Sequence, residues 1–505
     1  WWKGPGITAW SASVYINGGI VCDNLGSSDF DEGAISVVDG GKFELSDGEV
    51  YGNYNCHGIY VSKNVELTIT GGKVFKNSKM GIRSQDVRDE GTPEIRIEGC
   101  SVYENEGGGI AIGSGTIKNA EIYKNKTEKN GAGLYIGSGV TLIDNCKIYE
   151  NTVATTDENN NFGGAGIYYA GKENTVLTIR NTEIKSNSIN NNNGSGLLIS
   201  GQNTTVLCEN CVFSKNTGGS AVCCGTSNSN TITLQMDGGT VTESPNGING
   251  VGSFTVRLSG DVQIKDNSTE EGKSRNIYLL SDNQFIEIVE KLGSQAEIGL
   301  THAQTHISKV LSVENAEYRI TNDDMTHLFS DSEEYFFYLN ENRIMLSEAK
   351  DALEITLNSN TGSNSETSTQ KVPKGQSTTL DTNSFVRDGY TFMGWNTQLD
   401  GNGTKYSDGA EVTFTNAATL YAQWIETSQL KLTTDKVQVL GANTLALSAP
   451  SSASIPAIAT GDTDVITVSG TSVTPVDGTL GQTADVTATV SHNGYSFPVD
   501  FKLTV

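Results

Sequence analysis

The chain has 505 residues and a formal charge of −25, because 59 Asp and Glu residues outnumber 34 Lys and Arg. This acidic balance argues against nucleic acid and against an anionic membrane surface as partners. No stretch approaches the ~20 apolar residues of a membrane span, and no signal-peptide pattern stands at the start. We therefore expect no membrane insertion by this part of the chain, whose numbering we expect to begin inside a longer precursor.

A repeated pattern dominates the first half of the chain. In each copy a glycine opens a short apolar strand, a variable polar loop follows, and a second apolar strand leads to a closing asparagine, as in residues 133–136 with 146–151. The closings fall at 24, 53, 77, 105, 125, 151, 187, 216, 244 and 267, so nine intervals span 243 residues, or 27 residues each. Such short strands must stack on their neighbours to bury an apolar face. The pattern predicts a parallel β-helix, which is right-handed because right-handed crossovers dominate parallel sheets.

Two residue types give this repeat its expected geometry. An asparagine that recurs at one corner is suited to a ladder of inward side-chain amides that bond from rung to rung. The glycines are suited to tight bends with positive φ. The loops vary most at 151–163 and 187–194, and loops on a rigid scaffold are where we expect a binding site.

The cysteines are expected to be buried thiols. Cys100, Cys146 and Cys211 each precede a closing asparagine by five residues, on alternate rungs. Stacked strands lie about 4.8 Å apart, so these thiols would be roughly 10 Å from one another, too far for a disulfide. The adjacent pair Cys223 and Cys224 leaves a vicinal disulfide or a metal ligand open, since alternation would point one side chain outward.

The pattern changes along the chain and divides it into four segments of an all-β protein. We assign residues 1–286 to the β-helix and 287–350, where the glycine rhythm fades, to its C-terminal cap. Residues 351–426 form a small module whose aromatic residues alternate with small or polar ones, as in the core of a small domain. Residues 427–505, rich in Val, Thr, Ala and Ser, are expected to form a β-sandwich.

Three stretches resemble known families. Residues 7–346 resemble the right-handed β-helix repeat regions of large secreted or cell-wall-attached proteins of Gram-positive gut bacteria. The motifs RDGYTFMGW at 387–395, DGNGT at 400–404 and TLYAQW at 419–424 resemble a Listeria-Bacteroides repeat, which is also found in internalins. That resemblance implies a β-grasp-like module used as a stalk or contact unit on bacterial surfaces, although the loop at 358–369 is longer than the usual pattern. Residues 430–505 resemble a bacterial immunoglobulin-like (Ig-like) domain, which commonly serves as a spacer.

An aromatic file is the first candidate ligand site. Phe75, Tyr103, Tyr123 and Tyr149 stand two residues before closing asparagines on four successive rungs. If alternation holds from the inward residue before each, the rings face outward, beside Lys and Glu residues that alternate in sign. Such a strip could bind sugar rings, and the competing interpretation is that it only stiffens the sheet. On the other strand, three further tyrosines are expected outward: Tyr60, Tyr135 and Tyr168.

An enzyme is the alternative hypothesis, because the fold resembles that of pectate lyases and polygalacturonases. Residues 83–90 place two arginines beside three acids, and a lyase needs a carboxylate cluster for Ca²⁺ and a base for the α-proton; the candidates are Arg83, Asp86, Arg88, Asp89 and Glu90. The bland interpretation is a solvated charged loop. His57 has no ligand-spaced partner and is taken as a surface or packing residue. No hydrolase constellation of paired acids is recognisable, so we expect no catalytic residues.

These observations favour a bacterial cell-surface or secreted protein. Its expected role is adhesion through a glycan or a host-surface protein, with a polysaccharide lyase or glycoside hydrolase and a purely structural stalk as alternatives. We expect no metal site and no cofactor, with Ca²⁺ the ion that the acidic charge would favour, and a monomer.

Overall fold

A computed structural model describes residues 6–27, 32–62, 64–85, 95–137, 139–155, 162–190, 193–302, 310–313, 317–438 and 441–505. The chain divides into two compact units, residues 1–337 with 342–346 and residues 338–341 with 347–505. The first unit is made almost wholly of parallel strands. They are β1 (Ile7–Trp10), β2 (Val14–Cys22), β3 (Gly33–Val38), β4 (Gly41–Tyr51), β5 (His57–Val61), β6 (Val65–Ile69), β7 (Lys73–Phe75), β8 (Ile82–Ser84), β9 (Ile95–Glu98), β10 (Ser101–Tyr103), β11 (Ile110–Ile112), β12 (Gly115–Lys118), β13 (Glu121–Tyr123), β14 (Lys126–Thr127), β15 (Leu134–Ile136), β16 (Thr141–Asp144), β17 (Lys147–Tyr149), β18 (Thr152–Val153), β19 (Ile167–Tyr169), β20 (Val176–Arg180), β21 (Glu183–Lys185), β22 (Ser188–Ile189), β23 (Gly194–Ile199), β24 (Thr204–Glu209), β25 (Val212–Ser214), β26 (Ser220–Asp237), β27 (Thr240–Thr242), β28 (Asn246–Gly260), β29 (Gln263–Ile264), β30 (Ile277–Leu279), β31 (Gln284–Leu292), β32 (Glu297–His302) and β33 (Leu328–Ser330).

Most of these strands stack into three parallel ladders, which are the three faces of a β-helix; β14, β18 and β22 form a small parallel sheet of their own. The first face holds β1, β3, β5, β8, β11, β15, β19, β23, the starts of β26 and β28, β30 and β32. The second holds β2, β4, β6, β9, β12, β16, β20, β24, the ends of β26 and β28, and β31. The third holds the end of β4, then β7, β10, β13, β17, β21, β25, β27, β29, the start of β32, and β33. The predicted parallel β-helix is confirmed, and its pairing continues through β33.

A left-handed residue closes the third-face strands from the end of β4 to β29. After β4 it is Gly52 with φ 62°; after the others φ lies between 52° and 55° and the residue is not glycine: Lys76, Glu104, Lys124, Glu150, Ser186, Lys215, Glu243 and Asp266. In a regular strand the inward residues are two apart, yet Val102 and Asn105, three apart, are both fully buried. The left-handed residue between them turns the chain so that the asparagine also faces inward.

The inward asparagines form the predicted ladder. The Nδ2 of Asn105 donates to the Oδ1 of Asn125 at 2.9 Å, and Asn125 donates in the same way to Asn151 at 3.0 Å. The same bond joins eight rungs from Asn24 to Asn216, and from Asn53 onward a second donated bond goes to a backbone carbonyl of the preceding rung, such as Val102 O at 2.9 Å. Each buried amide is therefore satisfied, as a buried polar group must be.

The ladder ends on an acceptor. Ser244 interrupts it, with its hydroxyl accepting the Asn216 N–H at 3.3 Å, and Asn267 and Asn276 resume it. The carboxylate of Asp331 then accepts both the Nδ2 of Asn276 at 2.6 Å and its backbone N–H at 2.9 Å. Because a carboxylate only accepts hydrogen bonds, the ladder needs no further rung beyond this point.

The glycines that open the first-face strands differ from expectation, because they do not have positive φ. A Cβ placed on them would lie 2.8 to 3.1 Å from the ladder Nδ2 of their own rung, as at Gly109 beside Asn125 and Gly133 beside Asn151. The same Cβ would lie 2.6 Å from Gly133 O at Gly109 and 2.5 Å from Gly166 O at Gly133, so the backbone of the next rung excludes a side chain there as well. The glycine and the asparagine of the repeat are therefore two halves of one packing arrangement.

All eight cysteines are free thiols, and seven of them are buried. Cys100, Cys146 and Cys211 line the interior as predicted. Cys224 also faces inward, whereas Cys223 lies on the outer side of the first face and is covered, in a small apolar cluster with Tyr168 and Leu198. Burial raises the pKa of Cys223 to about 12. The pair Cys223 and Cys224 therefore consists of two separate thiols.

Beyond β33 the chain forms several smaller sheets; β34 and β35 contain residues of both units, and the strands after them belong to the second unit. The strands that follow β33 are β34 (Tyr335–Asn340), β35 (Arg343–Glu348), β36 (Ala352–Asn358), β37 (Thr367–Pro373), β38 (Ser377–Thr379), β39 (Tyr390–Asn396), β40 (Lys405–Tyr406), β41 (Glu411–Thr413), β42 (Ala418–Glu426), β43 (Lys431–Leu432), β44 (Asn443–Thr444), β45 (Leu447–Ala449), β46 (Ser454–Thr460), β47 (Ile466–Ser469), β48 (Ser472–Pro475), β49 (Thr483–His492) and β50 (Tyr495–Thr504). One sheet has the order β37-β36-β42-β39-β40, with β36 and β42 parallel, and the last strands form antiparallel sheets such as β46-β49-β50. Helix is confined to α1 (Asn322–Met325), in the first unit, and to 3₁₀ turns at Ala349–Asp351, Gly362–Asn364 and Thr427–Gln429 within the described residues.

Each half of this second unit has its own apolar core. Trp395 is fully buried among residues such as Leu357, Leu420 and Ala422. A second core lies between the antiparallel sheets, and Met393 and Ile425 of the preceding module extend into it. The Ig-like assignment of residues 427–505 stays a prediction.

Candidate functional site

The predicted aromatic file exists and is one ring longer than expected. Tyr51, Phe75, Tyr103, Tyr123 and Tyr149, here called the aromatic column, occupy equivalent positions on successive third-face strands. Their ring centroids are 4.7 to 4.9 Å apart, with interplanar angles of 17° or less. Tyr51 was missed although it also stands two residues before a closing asparagine, so the repeat spacing would have found it.

This stacking determines which parts of the rings meet solvent. Neighbouring rings cover one another's faces at the spacing of the strands, so the inner rings present only edges and hydroxyl groups. Partial burial raises the pKa of Tyr103, Tyr123 and Tyr149 above the ordinary value. A sugar usually packs on a free aromatic face, and the inner rings leave no such face open. Ligand binding by the aromatic column stays a prediction. The stacking of the rings agrees with the other interpretation, in which the column only stiffens the sheet.

The charged residues beside the column form the expected inter-rung pairs. Lys76 lies 3.6 Å from Glu104, and Lys124 lies 3.8 Å from Glu150. These side chains are largely exposed, and exposed ion pairs contribute only about 0–1 kcal/mol.

The outer side of the first face carries the more concave surface. Its outward residues lie in register from rung to rung: Tyr60, Arg83, Ala111, Tyr135, Tyr168, Leu198 and Cys223. Ala111 is the smallest of them and lies between the longer Arg83 and Tyr135 side chains. A groove of about 760 Å³ opens over it; we call this the lateral groove, lined among others by His57, Lys79, Arg83, Ala111, Lys126 and Tyr135.

The wall of the lateral groove is built by the connections between the third and first faces. In successive rungs these connections have four residues (78–81), four (106–109), eight (126–133) and 15 (152–166). Met80 and Phe162 both line the groove; we call the connections at 78–81 and 106–109 the low part of the wall and the connection at 126–133 the high part. Gly107 lies so close to the preceding rung that a Cβ there would be 2.6 Å from the Lys79 carbonyl carbon. The low part of the wall is thus tightly packed backbone.

The high part of the wall is also held by hydrogen bonds. Lys126 N donates to Asn105 O at 2.9 Å, and Lys129 N donates to the Thr127 hydroxyl at 3.2 Å. The Oδ1 of Asn130 accepts the N–H of Gly163 at 2.8 Å. These bonds fix the backbone that carries two exposed lysine side chains.

The described lining residues of the lateral groove give it a positive formal charge. Four basic side chains, Lys79, Arg83, Lys126 and Lys129, face two acidic ones, Glu106 and Glu128. The groove also contains hydroxyl and amide groups such as Asn130. A concave surface with a few polar groups around an aromatic side chain is the usual form of a small-ligand site.

His57 lies at the groove as a buried packing residue, with 3% of its surface exposed. Its Nδ1 accepts the N–H of Met80 at 3.1 Å, which places the proton of the neutral ring on Nε2. The ring stacks near Tyr60 at a centroid distance of 6.2 Å. It therefore helps to fix the low wall of the groove.

The enzyme candidates are only partly described. Arg83 lines the lateral groove, whereas Asp86, Arg88, Asp89 and Glu90 lie outside the described residues. Over the described part of the chain, no three His, Cys, Asp or Glu side chains are grouped so that they could hold a metal ion. A Ca²⁺ site stays a prediction.

Sequence reasoning missed the lysine wall of the groove. The run KTEK at 126–129 follows directly after a closing asparagine, at the point where the connection to the next strand first lengthens. That change of length was the available signal. The predicted loop region at 151–163 does contribute to the groove, through Phe162.

Comparison with known proteins supports the modular architecture. Residues 7–153 and 57–248 match the family model for a right handed beta helix region. Residues 354–423 match the model for the Listeria-Bacteroides repeat domain. A protein of Evansella cellulosilytica whose name describes it as a Gly-rich membrane protein is 51% identical over 45 residues, which is 9% of this chain and 5% of that protein. No solved structure matches.

Within the described residues, none of the helices has the length and apolarity that crossing a membrane requires. Listeria-Bacteroides repeats are typical of surface proteins. The chain therefore combines a right-handed parallel β-helix with a Listeria-Bacteroides repeat domain, the composition of a modular surface-type protein.

Proposed function

We propose that this chain is the extracellular part of an adhesin on the surface of a Gram-positive gut bacterium, and that its β-helix binds a glycan in the lateral groove. The groove itself is the observation that carries the proposal. It combines the outward Tyr135 ring, several charged side chains and a floor lowered by Ala111 on a backbone fixed by hydrogen bonds. A rigid site loses little entropy on binding, which favours affinity for a flexible glycan.

The test is a binding screen with the full chain against host mucin glycans and microbial polysaccharides. Ala111→Trp would fill the groove from its floor, and because residue 111 faces outward the apolar interior stays unchanged. Tyr278→Ala is the matched control, since Tyr278 lies on the same face but does not line the groove. We expect Ala111→Trp to abolish binding and Tyr278→Ala to preserve it. Binding that survives Ala111→Trp, or no binding by the wild-type chain, would refute the proposal.

The aromatic column is tested in the same screen. Replacing Tyr103, Tyr123 and Tyr149 together by Ser would abolish binding if the column holds the ligand. Our proposal expects glycan binding in the lateral groove to remain. A loss of binding in a triple variant that is still folded would transfer the site to the column.

A polysaccharide lyase or hydrolase is the second candidate, favoured by the position of Arg83 in the groove. A guanidinium beside a bound uronate could pair with its carboxylate and so make the neighbouring proton easier to remove by a general base. Product release from the same polysaccharides, measured with and without Ca²⁺, separates the two functions. Turnover would support the enzyme, and binding without turnover would support the adhesin.

A further inference from the structure

We propose that the first rung of the β-helix, formed by β1 and β2, is an interface for a further rung of the same repeat, supplied by polypeptide joined in front of residue 1. The proposal does not depend on ligand binding by the lateral groove. Among the described strands, β1 pairs with β3 alone and β2 pairs with β4 alone. The other edge of both strands therefore presents backbone N–H and C=O groups that a parallel strand can bind.

The apolar interior is less covered in the first rung than in the second. Ile35 of β3 is fully buried, whereas Ile7, its partner in β1, is only half-buried. The same difference separates Val14 of β2 from Phe43, its fully buried partner in β4. A further rung would cover these inward side chains, and the burial of apolar surface is what favours the stacking of such rungs.

The first rung also lacks the charged side chains that usually protect an edge strand. β1 and β2 contain no Lys, Arg, Asp or Glu, whereas β4 in the next rung contains four such residues. Edge strands commonly carry charges or proline, because these disfavour pairing with another strand. Here the outward side chains are apolar instead, and Trp10, Tyr15 and Ile20 are 60% to 71% exposed. The composition of this edge therefore favours pairing over exposure to solvent.

The asparagine ladder indicates which kind of rung fits. Asn151 is typical of its members, because its Oδ1 accepts two hydrogen bonds from Asn125 in the rung before it. Asn24, the first member, donates to Asn53 Oδ1 at 2.8 Å, but no described residue donates to the Asn24 Oδ1. Its second donated bond goes to Cys22 O of its own rung at 3.1 Å, where later members reach a carbonyl of the preceding rung. The ladder therefore begins with an acceptor that the amide of a preceding closing asparagine would fill.

A second copy of the chain fits this end less well than a rung of the repeat. The opposite end of the ladder closes on the Asp331 carboxylate, which accepts hydrogen bonds without donating. Two copies stacked end to end would therefore bring an acceptor against the Asn24 Oδ1, whichever end of the second copy approached. A rung that closes on asparagine supplies the missing donor, as Asn125 does for Asn151.

The test lengthens the full chain by one rung. A copy of residues 106–125 joined in front of residue 1 places its closing asparagine 24 positions before Asn24, within the 20 to 36 positions that separate closing residues elsewhere. Hydrogen exchange measured by mass spectrometry should be at least about tenfold slower in β1 and β2 of the lengthened chain than in the original chain. A copy of residues 126–151, which closes on Asn151, should give the same protection. A scrambled sequence of the same composition is the matched control and should leave the exchange unchanged.

A further variant separates ladder bonding from burial. Asn125→Asp within the added copy keeps the size of the side chain but removes its donated bonds, so it should slow exchange in β1 and β2 less than the asparagine does. Equal protection by both versions would refute the role of the ladder in selecting the rung. Unchanged exchange in β1 and β2 with both asparagine-closed copies would overturn the proposal. A dimer of the original chain in sedimentation, abolished by the added copy, would also overturn it, because the first rung would then join two copies.

Discussion

The asparagine ladder should be the main polar contribution to the stability of the β-helix, and Asn151 tests it. Asn151 is fully buried. Its Nδ2 donates to Asn187 Oδ1 at 3.0 Å and Ile122 O at 2.9 Å, and its Oδ1 accepts Asn125 N at 3.1 Å and Asn125 Nδ2 at 3.0 Å. Asn151→Ala removes all four bonds. At about 1 kcal/mol for each bond, and more for groups left unsatisfied, we expect a loss of about 4 kcal/mol.

Hydrogen exchange measured by mass spectrometry is the suitable assay, because a chain of several units need not unfold in one step. Peptides that cover β13, β17 and β21 should exchange about a thousandfold faster in Asn151→Ala, since every 1.4 kcal/mol is a factor of ten. Asn151→Asp separates hydrogen bonding from volume. It keeps the size and the accepting oxygen but loses both donated bonds, so it should also be strongly destabilising.

Asn283→Ala is the matched control. Asn283 also bonds to another rung, through Nδ2 to the Ser253 hydroxyl at 2.7 Å, but it is exposed. An exposed side-chain hydrogen bond should contribute less than about 1 kcal/mol. If Asn151→Ala accelerates exchange no more than Asn283→Ala does, the ladder does not stabilise the rungs and the reasoning is refuted.

Three further predictions concern thiols, a buried acid and the contact between modules. Burial raises the pKa of Cys100 to about 12, and seven of the eight thiols are buried. A thiolate-specific reagent at pH 8 should therefore modify at most one thiol in the folded chain and all eight in guanidinium. Modification of several thiols in the folded chain would contradict this prediction. Burial also raises the pKa of Asp381 from 3.8 to about 6. The folded state therefore favours the protonated acid, and stability present below pH 4 should fall by about 3 kcal/mol as the pH rises through 6. Asp381→Asn should lack this fall in urea titrations at pH 4 and 7, and an unchanged pH dependence would show that Asp381 is not responsible. Tyr495→Phe removes the hydroxyl that accepts a hydrogen bond from Asn396 Nδ2 at 2.9 Å. The loss of this bond should lower the free energy of unfolding of the second unit by about 1 kcal/mol, measured in thermal scans. An unchanged melting temperature would mean that this contact does not stabilise the unit.

The β-helix could be predicted because two residue types of the repeat, the glycine and the asparagine, are both needed for the same packing contact. A glycine cannot be enlarged beside a ladder amide, and the asparagine cannot be replaced without orphaning its partners. Both therefore recur in nearly every rung, although loop lengths make the intervals between closing residues vary from 20 to 36 residues. The reason for the glycines was not predictable, since tight bends and close contacts both call for a missing side chain.

The left-handed corners had no sequence signal. Lys76, Glu104 and Lys124 occupy them although none is glycine, and a left-handed residue costs roughly 1–2 kcal/mol. The ladder bonds that each corner makes possible offset this cost. The corner conformation is thus a consequence of the inward asparagine beside it.

The lateral groove could not be predicted from the sequence, for a different reason. It is formed by residues from four rungs that are about 20 to 30 positions apart in sequence, and Ala111 looks unremarkable until it is aligned with Arg83 and Tyr135. The aromatic column, by contrast, keeps one spacing to the closing asparagines and was largely found. A feature whose residues stand at a constant distance from the closing asparagine can be predicted from the sequence. A feature that arises because one rung differs from the next can be recognised only when the register between the stacked strands is known.

The one-way ladder also bears on how such a chain can change in length during evolution. Each ladder asparagine presents an acceptor to the rung before it and a donor to the rung after it, so a duplicated or deleted asparagine rung leaves its new neighbours with matching partners. Ser244 departs from this arrangement, since its hydroxyl donates back to Thr242 O, and the carboxylate of Asp331 ends the ladder because it accepts without donating onward. Tandem gain or loss of coding segments near 27 residues would therefore be tolerated anywhere before Asp331, and the reach of the protein could vary among strains without redesign of its end.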